Sequence, residues 1–205
     1  MPTLDEYRQI LQIFQSARLR RDYSDLAAQP QYYSVSDFFF TQMYGPHDFT
    51  ERDAGARRLH HFIHLVPGVR LRDVEEAVEL LELTSKLDDD VARWLQALNA
   101  PFDFDEPTYE CAYFQADNYE QRLYQLNLVH ATLLNMHRLT NIPFLGFALR
   151  QARFVALMSG MEALHTFMVE GHTALLPVQN IRYFADTVYE RELQRLNRIY
   201  ASDLE

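Results

Sequence analysis

Cysteine is all but missing from this chain. Cys111 is the only one, so no intrachain disulfide can form, and a reducing, cytoplasmic setting is expected. Lysine is equally scarce: Lys86 stands alone among 19 basic residues, and the rest are arginine. Base composition explains such a bias, but arginine also makes planar, two-pronged contacts with carboxylates. Glycine is limited to six residues, most of them at expected helix ends. There is no Gly-x-Ser-x-Gly, no P-loop and no Gly-x-Gly-x-x-Gly, which excludes phosphate-cradling loops. Positive charge is in deficit. A formal net charge of −10 excludes a nucleic-acid-backbone binder and argues, more weakly, against docking on anionic membranes. Long apolar runs are missing too. The most apolar region, IPFLGFALRQARFVALMSGMEALHTFMV, is interrupted by Arg150, Arg153, Glu162 and His165. No window approaches the ~20 apolar residues that span a bilayer. The start, MPTLDEYRQI, lacks the basic-then-apolar order of a signal peptide. A soluble protein with no membrane span is expected.

Helical periodicity is what the chain does have. Thr3 and Glu6 form a capping box ahead of an apolar stripe, so a helix is expected over about 4–21. SDLAAQPQ reads as a connector. A second helix over about 31–44 ends at Gly45-Pro46, and Thr50 with Asp53 caps a third over about 51–66. A long helix over about 72–99 follows, with LDDD at 87–90 as a point where it kinks or splits. Next come a short helix over about 106–116 and one over about 119–139 capped by Asn118. One or two apolar helices cover about 143–170 and stop at Gly171. The last helix, 181–201, is capped by Asn180 and carries the stripe Ile181, Phe184, Ala185, Val188, Leu196 and Ile199. The connectors are short, and repeats and low-complexity tracts are absent. The expectation is an all-α, single-domain bundle of about seven to nine helices over residues 1–205. The 143–170 region is apolar on more than one face and is expected to be central.

The stretch FFFTQMYGPHDFTERD, residues 38–53, resembles the signature of an uncharacterised bacterial family named for its FFLEELY motif. In that alignment Phe38 and Phe39 are the paired aromatics and Tyr44 the terminal tyrosine. AVELLELTSKLD (77–88) resembles the next family block and YERELQRLNRIY (189–200) its closing helix. The two glutamates of the name are Thr41 and Gln42 here, so no carboxylate pair is available at those positions. The resemblance implies an all-helical bacterial protein and brings no activity with it.

Four constellations are candidates for chemistry. Three successive phenylalanines, Phe38 to Phe40, sweep about 300° of a helix, so they cannot all face one neighbour. They are either a helix buried on several sides, with Arg52 and Asp53 serving local pairing and capping, or the wall of an aromatic pocket with an Arg/Asp edge. The second reading makes Phe38, Phe39, Tyr44, Arg52 and Asp53 ligand contacts. Arg150 and Arg153 lie in the most apolar segment, where an arginine needs a carboxylate partner or an anionic ligand. Glu162 and His165 have Glu-x-x-His spacing, and His60 and His64 are spaced to grip one ion. A di-iron bundle needs two Glu-x-x-His pairs and the chain has one, so no metal or other cofactor is expected. Cys111, between aromatics and without a base nearby in sequence, reads as a buried inert thiol.

With no catalytic motif and a surplus of apolar side chains (14 Phe, 12 Tyr and 6 Met), the preferred reading is a non-enzymatic domain that binds a small molecule or a protein partner. A homo-oligomer interface accounts for the same surplus. The alternative is a helical-bundle enzyme with a His/Glu metal or cofactor site.

Overall fold

A computed structural model describes residues 2–43, 50–59 and 71–201. Helix α1 (Leu4–Asp22) starts at the expected capping box, with the Thr3 hydroxyl accepting from the Glu6 N–H and the Glu6 carboxylate accepting from the Thr3 N–H. The expected connector contains a one-turn helix, α2 (Ser24–Ala27), before α3 (Pro30–Phe38), with proline in its first turn. The chain then widens into a π-turn (Phe39–Met43). After α4 (Thr50–Leu59) comes α5 (Leu71–Ala97), followed by α6 (Glu106–Gln115) and α7 (Tyr119–Thr140). Three helices, α8 (Leu145–Gln151), α9 (Arg153–Met158) and α10 (Glu162–Leu175), occupy the apolar region, and α11 (Ile181–Ala201) closes the described chain. The Gly45-Pro46 stop, the end of the expected 51–66 helix, Tyr44, His60 and His64 lie outside the described residues.

The 27 residues of α5 make a rod of about 40 Å at 1.5 Å per residue. Leu80 joins a core with α1, α3, α7 and α11, Leu81 a small one with α4 and α10, and Val91, Ala92 and Leu95 a third with α1 and α6. The aspartate run does not break the rod, because each acid has an arginine. Asp89 accepts from Arg8 at 2.6 Å and Asp90 from Arg93 at 2.7 Å. Asp88 points inward, where Gln15 Nε2 donates to it at 3.1 Å and the buried Arg122 guanidinium lies 3.7 Å away.

The stripe predicted for α11 is buried at all six positions. Asn180 caps α11 as expected, accepting from the Tyr183 N–H. Asn118 stands at the N-cap of α7 as expected, but its side chain makes no cap hydrogen bond; its Oδ1 faces Tyr200 Oη of α11 at 3.5 Å, and its N–H donates to the same hydroxyl. His130 Nε2 meets Asp186 at 2.6 Å and His137 Nε2 meets the Val178 carbonyl at 2.8 Å, so both tie α7 to α11 or to the turn before it.

The expectation of a central 143–170 segment is overturned for α8 and α9, though α10 does pack among α3, α4 and α7. Each of α8 and α9 has fewer than two turns and can bury only one side. Phe144, Phe147, Phe154, Val155, Leu157 and Met158 are exposed, and Ala156 is the one residue of α8 and α9 that is buried. Nor does Gly171 stop a helix, since α10 runs through it to Leu175. Cys111 is exposed on α6 rather than buried.

An arginine network joins α1 and α2 to α6 and α11. Arg18, 6% exposed on its side chain, meets Glu192, 18% exposed, in a two-pronged contact of 2.7 and 3.0 Å. Tyr23 Oη donates to the same carboxylate at 2.9 Å. Arg195 bridges Asp22 and Glu106, and Arg191 grips Asp25 with both prongs. Such geometry is what arginine supplies and lysine does not. Arg18→Met leaves the Glu192 carboxylate without its main partner and is expected to cost roughly 3–5 kcal/mol in urea unfolding. Arg18→Met/Glu192→Leu, which removes both charges, is expected to recover most of that loss.

The buried acids titrate in opposite senses. Burial pushes the Glu192 carboxyl up, but the charge and hydrogen bonds of Arg18, with Tyr23, outweigh it and hold the group below the usual range. For Asp88, burial wins over Arg122 and Gln15 and holds the carboxyl above the usual range. Glu192 therefore contributes stability above its unfolded pKa of about 4.3, and that stability fades as pH falls through its lower folded value. Asp88 costs stability once pH rises above its unfolded value of about 3.9, and the cost grows until its raised folded value is passed. In urea unfolding across acid to neutral pH, the penalty of Glu192→Gln should grow with rising pH. Over the same range Asp88→Asn should become progressively more favourable relative to wild type.

Candidate functional site: an apolar cavity beside α10

The phenylalanine triplet divides as its helical spacing demands. Phe38, at the end of α3, packs on Phe167 of α10 with ring centroids 5.1 Å apart. Phe39 and Phe40 open the π-turn, whose extra residue per turn re-aims side chains. Phe40 looks the other way, toward Tyr23 and under the Arg20 guanidinium. Neighbours satisfy the backbone carbonyls of the turn. Ser16 Oγ donates to Phe40 O at 2.9 Å and Arg52 donates to Gln42 O at 2.8 Å. Buried Arg52 also sits over the Phe167 ring, 5.1 Å from its centroid.

Phe38 and Phe39 line a partly open cavity of about 230 Å³ between α3, the π-turn, α4, α5, α7, α8 and α10. Val78 and Leu81 of α5, Val129 and Leu133 of α7 and Met168 of α10 make much of the wall. Two glycines set its shape by close approach. A Cβ on Gly171 would lie 3.0 Å from Phe38 Cζ, and one on Gly146 would lie 2.7 Å from His172 Cε1. The small residues let the outer edges of the Phe38 and His172 rings come up against helix backbone.

Polar groups in the wall are few. Thr140 Oγ1 donates to the His137 carbonyl. Thr132 Oγ1 is buried and has no hydrogen-bond partner. His172 has none among the described residues; burial, then the positive charge of Arg150, holds its pKa below the usual value. At neutral pH the cavity therefore offers an uncharged imidazole on an otherwise apolar wall, with the unpartnered Thr132 hydroxyl buried in that wall.

The other predicted site residues are not gathered here. Arg52 stands behind Phe167 as a cap for the π-turn rather than in the wall. Arg150 and Arg153 are exposed and meet no acid among the described residues, so the ion pair expected of a buried arginine is not needed. The Asp53 side chain and all of Tyr44 lie outside what is described. Glu162 is exposed, and His165 is committed elsewhere: its Nε2 lies 2.7 Å from the Leu149 carbonyl and so carries the proton. No group of three or more His, Cys, Asp or Glu side chains among the described residues could hold a metal ion. Val78 and Leu81 carry no signal beyond the apolar periodicity of the helix expected over about 72–99, and Thr132 and His172 carry no local signal at all.

A family match covers residues 1–205. The chain belongs to the family described as domain of unknown function DUF8198. An uncharacterised family is what the resemblance implied, and the family description prints no activity. No curated protein and no solved structure matches the chain. No helix among the described residues is long and apolar enough to cross a membrane.

His172 should titrate below about 6.5 in histidine ring NMR. Arg150→Gln should move it part of the way back, since the smaller contribution to the shift is removed and burial remains. Its depressed value means that stability falls with pH below the ordinary histidine pKa, as the unfolded chain takes up a proton that the folded one resists.

Proposed function

We propose that this DUF8198 protein is a non-enzymatic binding domain for a small, largely apolar molecule held between α10 and helices α3, α5 and α7. The cavity is the observation that carries this reading. An unfilled apolar space of about 230 Å³ forfeits packing contacts along its walls, so it costs the fold roughly a few kcal/mol. That is a large fraction of the roughly 5–15 kcal/mol by which domains are stable, so an occupant brings a substantial gain. Scaled from benzene in a ~150 Å³ cavity, the space suits about ten non-hydrogen atoms. The unpartnered Thr132 hydroxyl and neutral His172 favour one uncharged polar group on that molecule, as in a medium-chain alcohol. In the bacterial, cytoplasmic setting implied by the FFLEELY resemblance and the single cysteine, such a molecule is a metabolite or lipid fragment rather than an extracellular signal.

Native mass spectrometry of the purified protein is expected to show a stoichiometric organic mass, released by solvent extraction. Calorimetry on the stripped protein with 1-octanol should give one saturable site. Val78→Phe and Leu133→Phe, each placing a ring in the cavity, should raise the unliganded melting temperature by a few degrees and weaken octanol binding at least tenfold. Thr132→Val should weaken octanol while sparing a hydrocarbon of equal length. An apo mass together with no octanol binding sinks the proposal.

A further inference from the structure

Helices α8 and α9 carry their apolar residues on the outside. Phe144, Phe154 and Met158 are 83%, 71% and 73% exposed, and Phe147, Val155 and Leu157 are each more than half exposed. Scattered apolar residues on a surface need no explanation, but five on two consecutive short helices, with Phe144 at the N-cap of the first, make a concentrated apolar surface. Phe144 is also held at a φ of 65°, a left-handed conformation that bulky residues rarely adopt.

Charge on this stretch has one sign. From Asn141 to Met161 the only ionisable residues are Arg150 and Arg153, in a chain of net charge −10. Both arginines are exposed. The opposite side of α8 faces the cavity, through Leu145 and Leu149, and the His172 ring lies against its Gly146. One short helix thus separates the exposed patch from the proposed ligand.

We propose that α8 and α9 are a docking surface for an anionic lipid bilayer, from which the cavity draws its apolar ligand. This inference rests on the binding function proposed above for the cavity. Phenylalanine and methionine side chains enter the acyl boundary while the two arginines meet lipid phosphates, as in interfacial amphipathic helices. The acidic remainder of the molecule opposes approach at long range. Beyond a Debye length of ~8 Å at physiological salt, that repulsion is largely screened. A second copy of the chain fits less well: two such patches face to face bring four arginines together, with no acid between Asn141 and Met161 to meet them.

The test is co-flotation of the whole protein with vesicles of phosphatidylcholine alone and of phosphatidylcholine with phosphatidylglycerol. Binding is expected on the mixed vesicles, weaker on phosphatidylcholine alone and weaker again at high salt. Arg150→Gln/Arg153→Gln should lower the partition by about tenfold or more. Phe154→Glu/Met158→Glu, at two exposed positions, should abolish it and leave both helicity and 1-octanol binding in solution unchanged. No association with either vesicle overturns the proposal, as does association that both variants retain. A dimer in light scattering that Phe154→Glu/Met158→Glu dissolves, without vesicle binding by the wild type, assigns the patch to a second copy and overturns it too. Octanol binding without vesicle binding sinks the docking surface alone. Vesicle binding without octanol binding upholds the surface and sinks the cavity reading.

Discussion

The contact between Arg18 and Glu192 joins the first long helix to the last. Neither charge could sit so far from water without the other, since a lone buried ion costs several kcal/mol. With the pair made, α1 and α11 are held at a set distance, and Tyr23, Asp22 and Arg195 extend the link to α2 and α6. The bias toward arginine acquires a structural use here. Two-pronged geometry at Arg18 and at Arg191 fixes direction as well as distance, so the helices have one register rather than several.

Away from that ionic end, packing is apolar and looser. The cavity lies where α10 crosses α3, α4, α7 and α8, and its walls come from residues that each look ordinary on their own helix. Close approach at Gly171 and Gly146 brings aromatic rings against backbone and still leaves space between them. The π-turn contributes by turning Phe39 into the cavity and Phe40 away from it. A rigid polar end and a roomy apolar end suit a domain whose frame stays fixed while one side admits a guest.

Much of the helical skeleton was legible from short-range signals. The Thr3–Glu6 box, the Asn180 cap and the α11 stripe depend on residues within a few positions of one another, and the structure places them as expected. Asn118 shows where that logic fails. It occupies the N-cap position its context implies, but its side-chain oxygen faces the hydroxyl of Tyr200, 82 residues away, rather than the first turn of α7. The aspartate run at 88–90 shows the same in reverse. Read locally it is a point of kinking or splitting, yet Arg8 and Gln15 of α1, Arg122 of α7 and Arg93 of α5 itself supply its partners, three of the four from other helices.

By itself, the sequence determined that the chain is all helical and where most of the helices begin, because capping and periodicity are settled within one or two turns. The tertiary structure alone decided which apolar surfaces are used. Composition pointed to 143–170 as the centre of the bundle, but α8 and α9 are too short to bury more than one side and lie at the surface. The cavity, the buried Asp88 and the free Thr132 hydroxyl were likewise decided by partners far off in sequence. Hydrophobic burial is non-directional and proportional to area, so it rewards any apolar face equally. Only the full set of helix–helix contacts settles which face is covered and which is left to meet something else.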